Sequence, residues 1–114
     1  MSRYKKIANK IVKAYNEMWK SNVARNIEQV FGRGESVDWE YSSFLTYTEG
    51  TSYKFHYFAV VKTESGEYVG GNAYGRIGST AKVIEIARSF SKSSVMSVVQ
   101  RKEGEKYNKG YRRS

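Results

Sequence analysis

Apolar residues at the start of the chain recur in steps of three and four. Tyr4, Ile7, Ala8, Ile11, Tyr15, Met18 and Trp19 follow the period of an amphipathic helix. Ser2 is a suitable N-cap, and Gly32 and Gly34 end the pattern. Ser21-Asn22 interrupts the stripe, so a kink or a break into two helices is expected there. From Val37 the period changes to two. Val37, Trp39 and Tyr41 alternate with Asp38 and Glu40, and Phe44 to Thr48 is β-branched and aromatic. Glu49 to Ser52 reads as a turn. A second strand, Tyr53 to Lys62, has Phe55, Tyr57, Ala59 and Val61 on one face and His56, Phe58 and Val60 on the other. The hairpin turn Glu64-Ser65-Gly66 leads into a third strand, Glu67 to Arg76, whose Gly70, Gly71 and Gly75 predict bulges or close backbone approach. Ala81 to Ala87 forms a fourth strand. A closing helix runs from Ser91 to Asn108 with Val95, Met96, Val98 and Val99 inward, and Gly110 ends it. The predicted class is α+β: an N-terminal helix, a twisted antiparallel sheet of about four strands, and a C-terminal helix packed across it. The division expected is a basic helical extension over 1–36 and a sheet-and-helix domain over 37–114.

A chain of 114 residues suits this single small core and no second catalytic domain. It has no cysteine and one histidine, His56, which excludes disulfides, thiolate catalysis and Cys- or His-rich metal sites. No apolar run reaches the length of a membrane span and no secretory signal pattern is evident, so a soluble, cytoplasmic protein is expected. Charge adds more. The formal net charge is +9, divided as +6 over residues 1–33, −4 over 34–69 and +7 over 70–114. If the fold joins the two ends, they make one cationic surface with an acidic back, which steers polyanions. Lys6, Lys10, Lys13 and Lys20 lie opposite the apolar stripe of the first helix, as a solvated face or as part of that surface.

No catalytic constellation is evident. His56 lies mid-strand with no second ligand, and Glu64 and Glu67 flank a turn, where solvated acids are expected. Gly75-Arg76-Ile77-Gly78 lacks the Lys-Ser/Thr of a phosphate loop. No cofactor and no metal are expected. The last third instead interleaves cations with aromatics. Tyr74-Gly75-Arg76 precedes Lys82 and Arg88, and Lys106, Tyr107, Lys109, Tyr111, Arg112 and Arg113 close the chain. Arginine and lysine neutralise phosphates, and an exposed tyrosine ring stacks on a sugar or a base.

Residues 44–113 resemble the WGR domain, named for a Trp-Gly-Arg triplet whose place is taken here by Tyr74-Gly75-Arg76. The likeness includes the preceding strand Glu49 to Phe55, the segment Lys82 to Ala87 and the ending Lys106-Tyr107-Asn108-Lys109-Gly110-Tyr111, in the order of stand-alone bacterial modules similar to the molybdate-metabolism regulator. The same domain occurs in DNA-damage-activated poly(ADP-ribose) polymerases, where it contacts DNA near a strand end. The resemblance implies a nucleic-acid-binding sheet with one helix across it. It gives Tyr74 a stacking role and Arg76 a phosphate or interdomain role. Tyrosine in place of tryptophan reduces the stacking area, and no transferase domain follows in this sequence.

The function expected is therefore non-enzymatic DNA binding through phosphates, with strand-end or shape preference and little base specificity. The nucleic-acid-binding candidates are Tyr74, Gly75, Arg76, Lys82, Arg88, Lys106, Lys109, Arg112 and Arg113, with Lys10 and Lys13 from the first helix. Two alternatives stay open. One is RNA or single-strand binding through the ten tyrosines and five phenylalanines. The other is an interaction or inhibitor module that engages an acidic protein, with helix 2–31 as a partner-binding or dimerising element.

Overall fold

The second strand carries Phe58-Ala59-Val60-Val61, four consecutive residues with no exposed surface. A strand that buries both faces needs cover on both sides. In the computed structural model, which describes the backbone of residues 3–114 and side chains from Asn16 onward, each face receives one helix. The elements run α1 (Arg3–Gly32), β1 (Val37–Tyr47), β2 (Lys54–Thr63), β3 (Tyr68–Arg76), β4 (Lys82–Ser89), α2 (Lys92–Asn108) and β5 (Arg112–Arg113). The strands form one antiparallel sheet in the order β4-β3-β2-β1-β5. The α+β reading holds, with one strand more than the four expected. The addition is the two-residue β5, which pairs Arg113 with Leu45 and Arg112 with Thr46 on the free edge of β1.

α1 is continuous through Ser21-Asn22, so of the kink or break expected there the break into two helices does not occur. Its Val23, Ile27 and Phe31 pack with Phe55, Ala59, Val61, Val69 and Ala73, so the apolar stripe from Trp19 to Phe31 is spent on the sheet and not left for a partner. The helix thus supplies one of the protein's two apolar layers. The dimerising role considered for helix 2–31 has no free apolar stripe among its described side chains. On the opposite face, Val95 and Val99 of α2 pack with Leu45, Phe58 and Val60. Ser91 caps α2 through its side chain, which accepts from the Ser94 amide.

Two irregularities set which side chains face which helix. A shift in β1 between Trp39 and Tyr41 turns these aromatics to opposite faces. The Trp39 indole donates to Glu28 on α1 at 3.0 Å. Tyr41 instead meets Glu103, a buried carboxylate of α2 that also accepts from Ser43 at 2.9 Å. The irregularity expected at the glycines lies opposite Gly70 and Gly71, with the extra residue, Ile86, on β4. A Cβ on Gly71 would sit 2.1 Å from the Ile84 carbonyl oxygen and 2.8 Å from the Phe31 ring. One on Gly70 would lie 2.5 Å from Val99 and 2.7 Å from Val95. These glycines let α1, β4 and α2 approach β3 closely.

Candidate nucleic-acid interface

The turn at Glu64-Ser65-Gly66 fixes the register of the hairpin formed by β2 and β3. That register sets Lys54 opposite Arg76, His56 opposite Tyr74 and Phe58 opposite Asn72. Alternation along each strand then places His56, Phe58, Asn72 and Tyr74 on the face covered by α2. Ile84 and Ile86 of β4 continue this floor, and Lys102, Glu105, Lys106 and Tyr111 form the opposing wall. The cleft so enclosed has a volume of about 510 Å³. Hollows of about 360 Å³, toward Gly75 and Arg76, and about 340 Å³, toward Tyr47 and Lys109, adjoin it. All three share Lys54 and Tyr111 as walls, so they form one groove.

The end of α2 positions the basic wall. Gly110 adopts a left-handed φ of 101°. Its amide donates to the Tyr107 carbonyl, and the Tyr111 amide returns to that of Lys106, the two bonds of a Schellman cap. The same cap holds the Tyr111 ring 5.6 Å from the Lys106 ammonium and tilted against Tyr47 at 5.5 Å. On the floor, His56 stacks on Tyr74 at 5.1 Å with a 4° interplanar angle, and on Phe58 at 4.8 Å.

Electrostatically this groove is starved of anions. Glu105 is the one carboxylate on its described walls, and it pairs with Lys102 at 3.9 Å. Burial, then the nearby charges of Lys106 and Lys109, push the His56 pKa down to about 4, so the imidazole is neutral at pH 7. Burial and Lys109 likewise hold the Lys106 ammonium below its ordinary value. Burial is the larger cause of both shifts, and the neighbouring lysines add a smaller like-charge contribution that an anion would relieve.

The predicted residues divide accordingly. Tyr74, Gly75, Arg76, Lys106 and Lys109 line the groove. Tyr74 is half-buried on the floor, while Arg76 is exposed and makes no ion pair among the described residues. Lys82 pairs with Tyr74 in register and is exposed at its side.

Arg88 does not belong to the groove. It lies on the α1 face, bonded to Glu85 at 2.8 Å, Glu67 at 3.3 Å and the Phe31 carbonyl at 2.8 Å, a structural guanidinium with its donors committed. Arg113 is also elsewhere, its Nε donating to Ser43 beside the Glu103 cluster. Arg112 donates to the carbonyls of Tyr111 and Tyr107 just past α2. The side chains of Lys10 and Lys13 lie outside the described residues. Among the described residues, α1 covers the other face and its Lys20 sits 4.2 Å over Phe44, so this part of the basic head does not join the groove.

Comparison of the chain with protein-family models, curated proteins and solved structures gave no match. The WGR likeness therefore rests on the motif residues and their order alone. The groove residues that were not among the sequence candidates include Lys54, Asn72, Lys102 and Tyr111. Lys54 was hidden because it falls in the segment of net charge −4, yet a hairpin centred on Ser65 already sets residue 54 opposite 76. Asn72 lies two residues before Tyr74 and so shares its face. No group of three metal-ligating side chains lies together among the described residues, and no described helix is long and apolar enough to cross a membrane.

Proposed function

We propose that the protein is a DNA-binding module that grips the phosphate backbone along the groove between α2 and the sheet. Lys54, Arg76, Lys106 and Lys109 supply the positive charge, and Tyr74 and Tyr111 supply aromatic surface. The observation that carries this reading is the cation cluster around the Tyr74-Gly75-Arg76 strand end, where Lys54, Arg76, Lys106 and Lys109 line a groove whose one described carboxylate is Glu105. The WGR resemblance supports the same reading and gives Tyr74 a stacking role. Because these cations hold phosphates and not base edges, affinity depends on salt and little on sequence.

The test is binding to duplex, nicked and single-stranded DNA across a salt series. Four phosphate contacts give a slope of log K against log salt of about −3 to −4. Arg76→Ala and Lys106→Ala each reduce that slope by about 1 without loss of structure. Folded protein that shows no binding at low salt removes the reading. Stronger competition by RNA of equal length transfers it to RNA.

A further inference from the structure

Phosphate contacts explain the rim of the groove but not its floor. Asn72 is 9% exposed and faces the cleft, and its amide oxygen has no hydrogen-bond partner. An unpaired buried acceptor is destabilising, and a native fold keeps few of them. Here it stands among flat rings. The His56 imidazole lies between Phe58 and Tyr74, and Tyr111 meets it edge-on at 6.1 Å. A polar acceptor within aromatic walls suits a planar group with an N–H on its edge. The cleft, at about 510 Å³, falls in the range of about 300–1,000 Å³ typical of small-molecule pockets, too small for a duplex. Cations at the mouth, Lys54 and Lys106, supply a phosphate partner for the same molecule.

We infer that the cleft receives one unpaired nucleotide of a bound strand, its base against the Tyr74 and Tyr111 rings, an N–H of the base edge donating to Asn72 Oδ1, and its phosphate between Lys54 and Lys106. This rests on the DNA-binding reading and adds a base-occupied pocket to it. Every natural base carries an N–H donor, so the pocket distinguishes a nucleotide with a base from one without, more than one base from another.

The experiment measures affinity for a duplex with a one-nucleotide overhang, and for the same duplex with an abasic tetrahydrofuran residue in the overhang. Phosphate number is equal in the two. Wild type binds the base-bearing overhang about tenfold more tightly, as expected for one stacked base. Asn72→Leu brings the two affinities to within about twofold and leaves the abasic affinity unchanged. Salt-dependent binding without base preference overturns the pocket and leaves the DNA-binding reading standing; absence of any binding overturns both. A base preference that survives in folded Asn72→Leu overturns the role of the amide. Free adenosine 5′-monophosphate that binds as tightly as the overhang overturns the strand-linked occupant in favour of a free nucleotide. If leucine unsettles the sheet, the Asn72 side-chain NH₂ resonance of wild type is followed while the overhang duplex is added. Movement at saturation supports the contact, and a fixed resonance overturns it.

Discussion

His56 is the protein's one histidine, which makes it a clean reporter of the groove. It is 6% exposed, and its pKa falls from 6.5 to about 4 on folding, because of burial first and of Lys106 and Lys109 second. The unfolded chain therefore takes up this proton before the folded protein does. Above pH 6.5 the neutral imidazole contributes its full stability; between about pH 6.5 and 4 that contribution is lost as the pH falls, and below 4 it is gone. At 1.36 kcal/mol for each pKa unit, the loss is about 3 kcal/mol, a large part of the stability of a small domain. The groups that face the imidazole are Lys54 on its own strand, Tyr74 on β3, Lys102, Glu105 and Lys106 on α2, and Tyr111 beyond it. The assay pairs an NMR titration of the imidazole Cε1–H with urea unfolding at several pH values. His56→Phe keeps the ring and removes the proton, so the wild-type stability should fall relative to this variant across that window by about 3 kcal/mol. Carboxylate titration is common to both proteins and cancels in the difference. Lys106→Gln should raise the His56 pKa by part of the displacement only, since burial is the larger cause. An imidazole that titrates near 6.5, or a pKa indifferent to Lys106, refutes the packing of α2 over the floor and with it the cationic groove.

Two substitutions test the elements that frame this site. Arg88→Ala removes a guanidinium bound to Glu85, Glu67 and the Phe31 carbonyl, and should cost about 2 kcal/mol in urea unfolding while leaving the salt slope of DNA binding unchanged. A reduced slope would return Arg88 to the interface. Gly71→Ala places a methyl group against the Ile84 carbonyl, which is backbone, and should cost 3 kcal/mol or more by the ~1–3 kcal/mol scale of overpacking. Gly70→Ala meets only valine side chains, Val95 and Val99 of α2 and Val60 of β2, and should cost less; equal melting temperatures for the two variants would contradict the close approach of β4 at the bulge.

Periodicity carried the fold because each element buries what its pattern says it should. The alternation in β2 already placed His56, Phe58 and Val60 opposite Phe55, Ala59 and Val61, and the apolar character of both sets demands two covering helices. The expected break at Ser21-Asn22 does not occur, because Trp19 and Val23 on either side both pack against the sheet side and tertiary contact outweighs two modest helix formers. β5 was not legible, since two residues have no period; its place is fixed by the cap at Gly110 and the free edge of β1. Arg88 shows the limit of charge counting. It sits in a basic segment, but Glu67 reaches it only through the pairing of β4 with β3, and Glu85, three residues back on the same strand, shares its face because of the irregularity at Ile86.

Among the described residues the charge asymmetry runs along the strands and not from a basic face to an acidic back. Antiparallel pairing folds the acidic middle segment so that Glu64 and Glu67 stand at one end of the sheet beside Glu35, while Lys54 is carried to the other end beside Arg76. α2 runs in the same sense, from Lys92, paired with Glu40, to Lys106 and Lys109. Its macrodipole alone would oppose an anion in the groove, because the carbonyl end lies there. The sequence answers this twice. The Schellman cap and the Arg112 side chain take up carbonyls of the last turn, and Lys106 and Lys109 place full positive charges over that partial negative one.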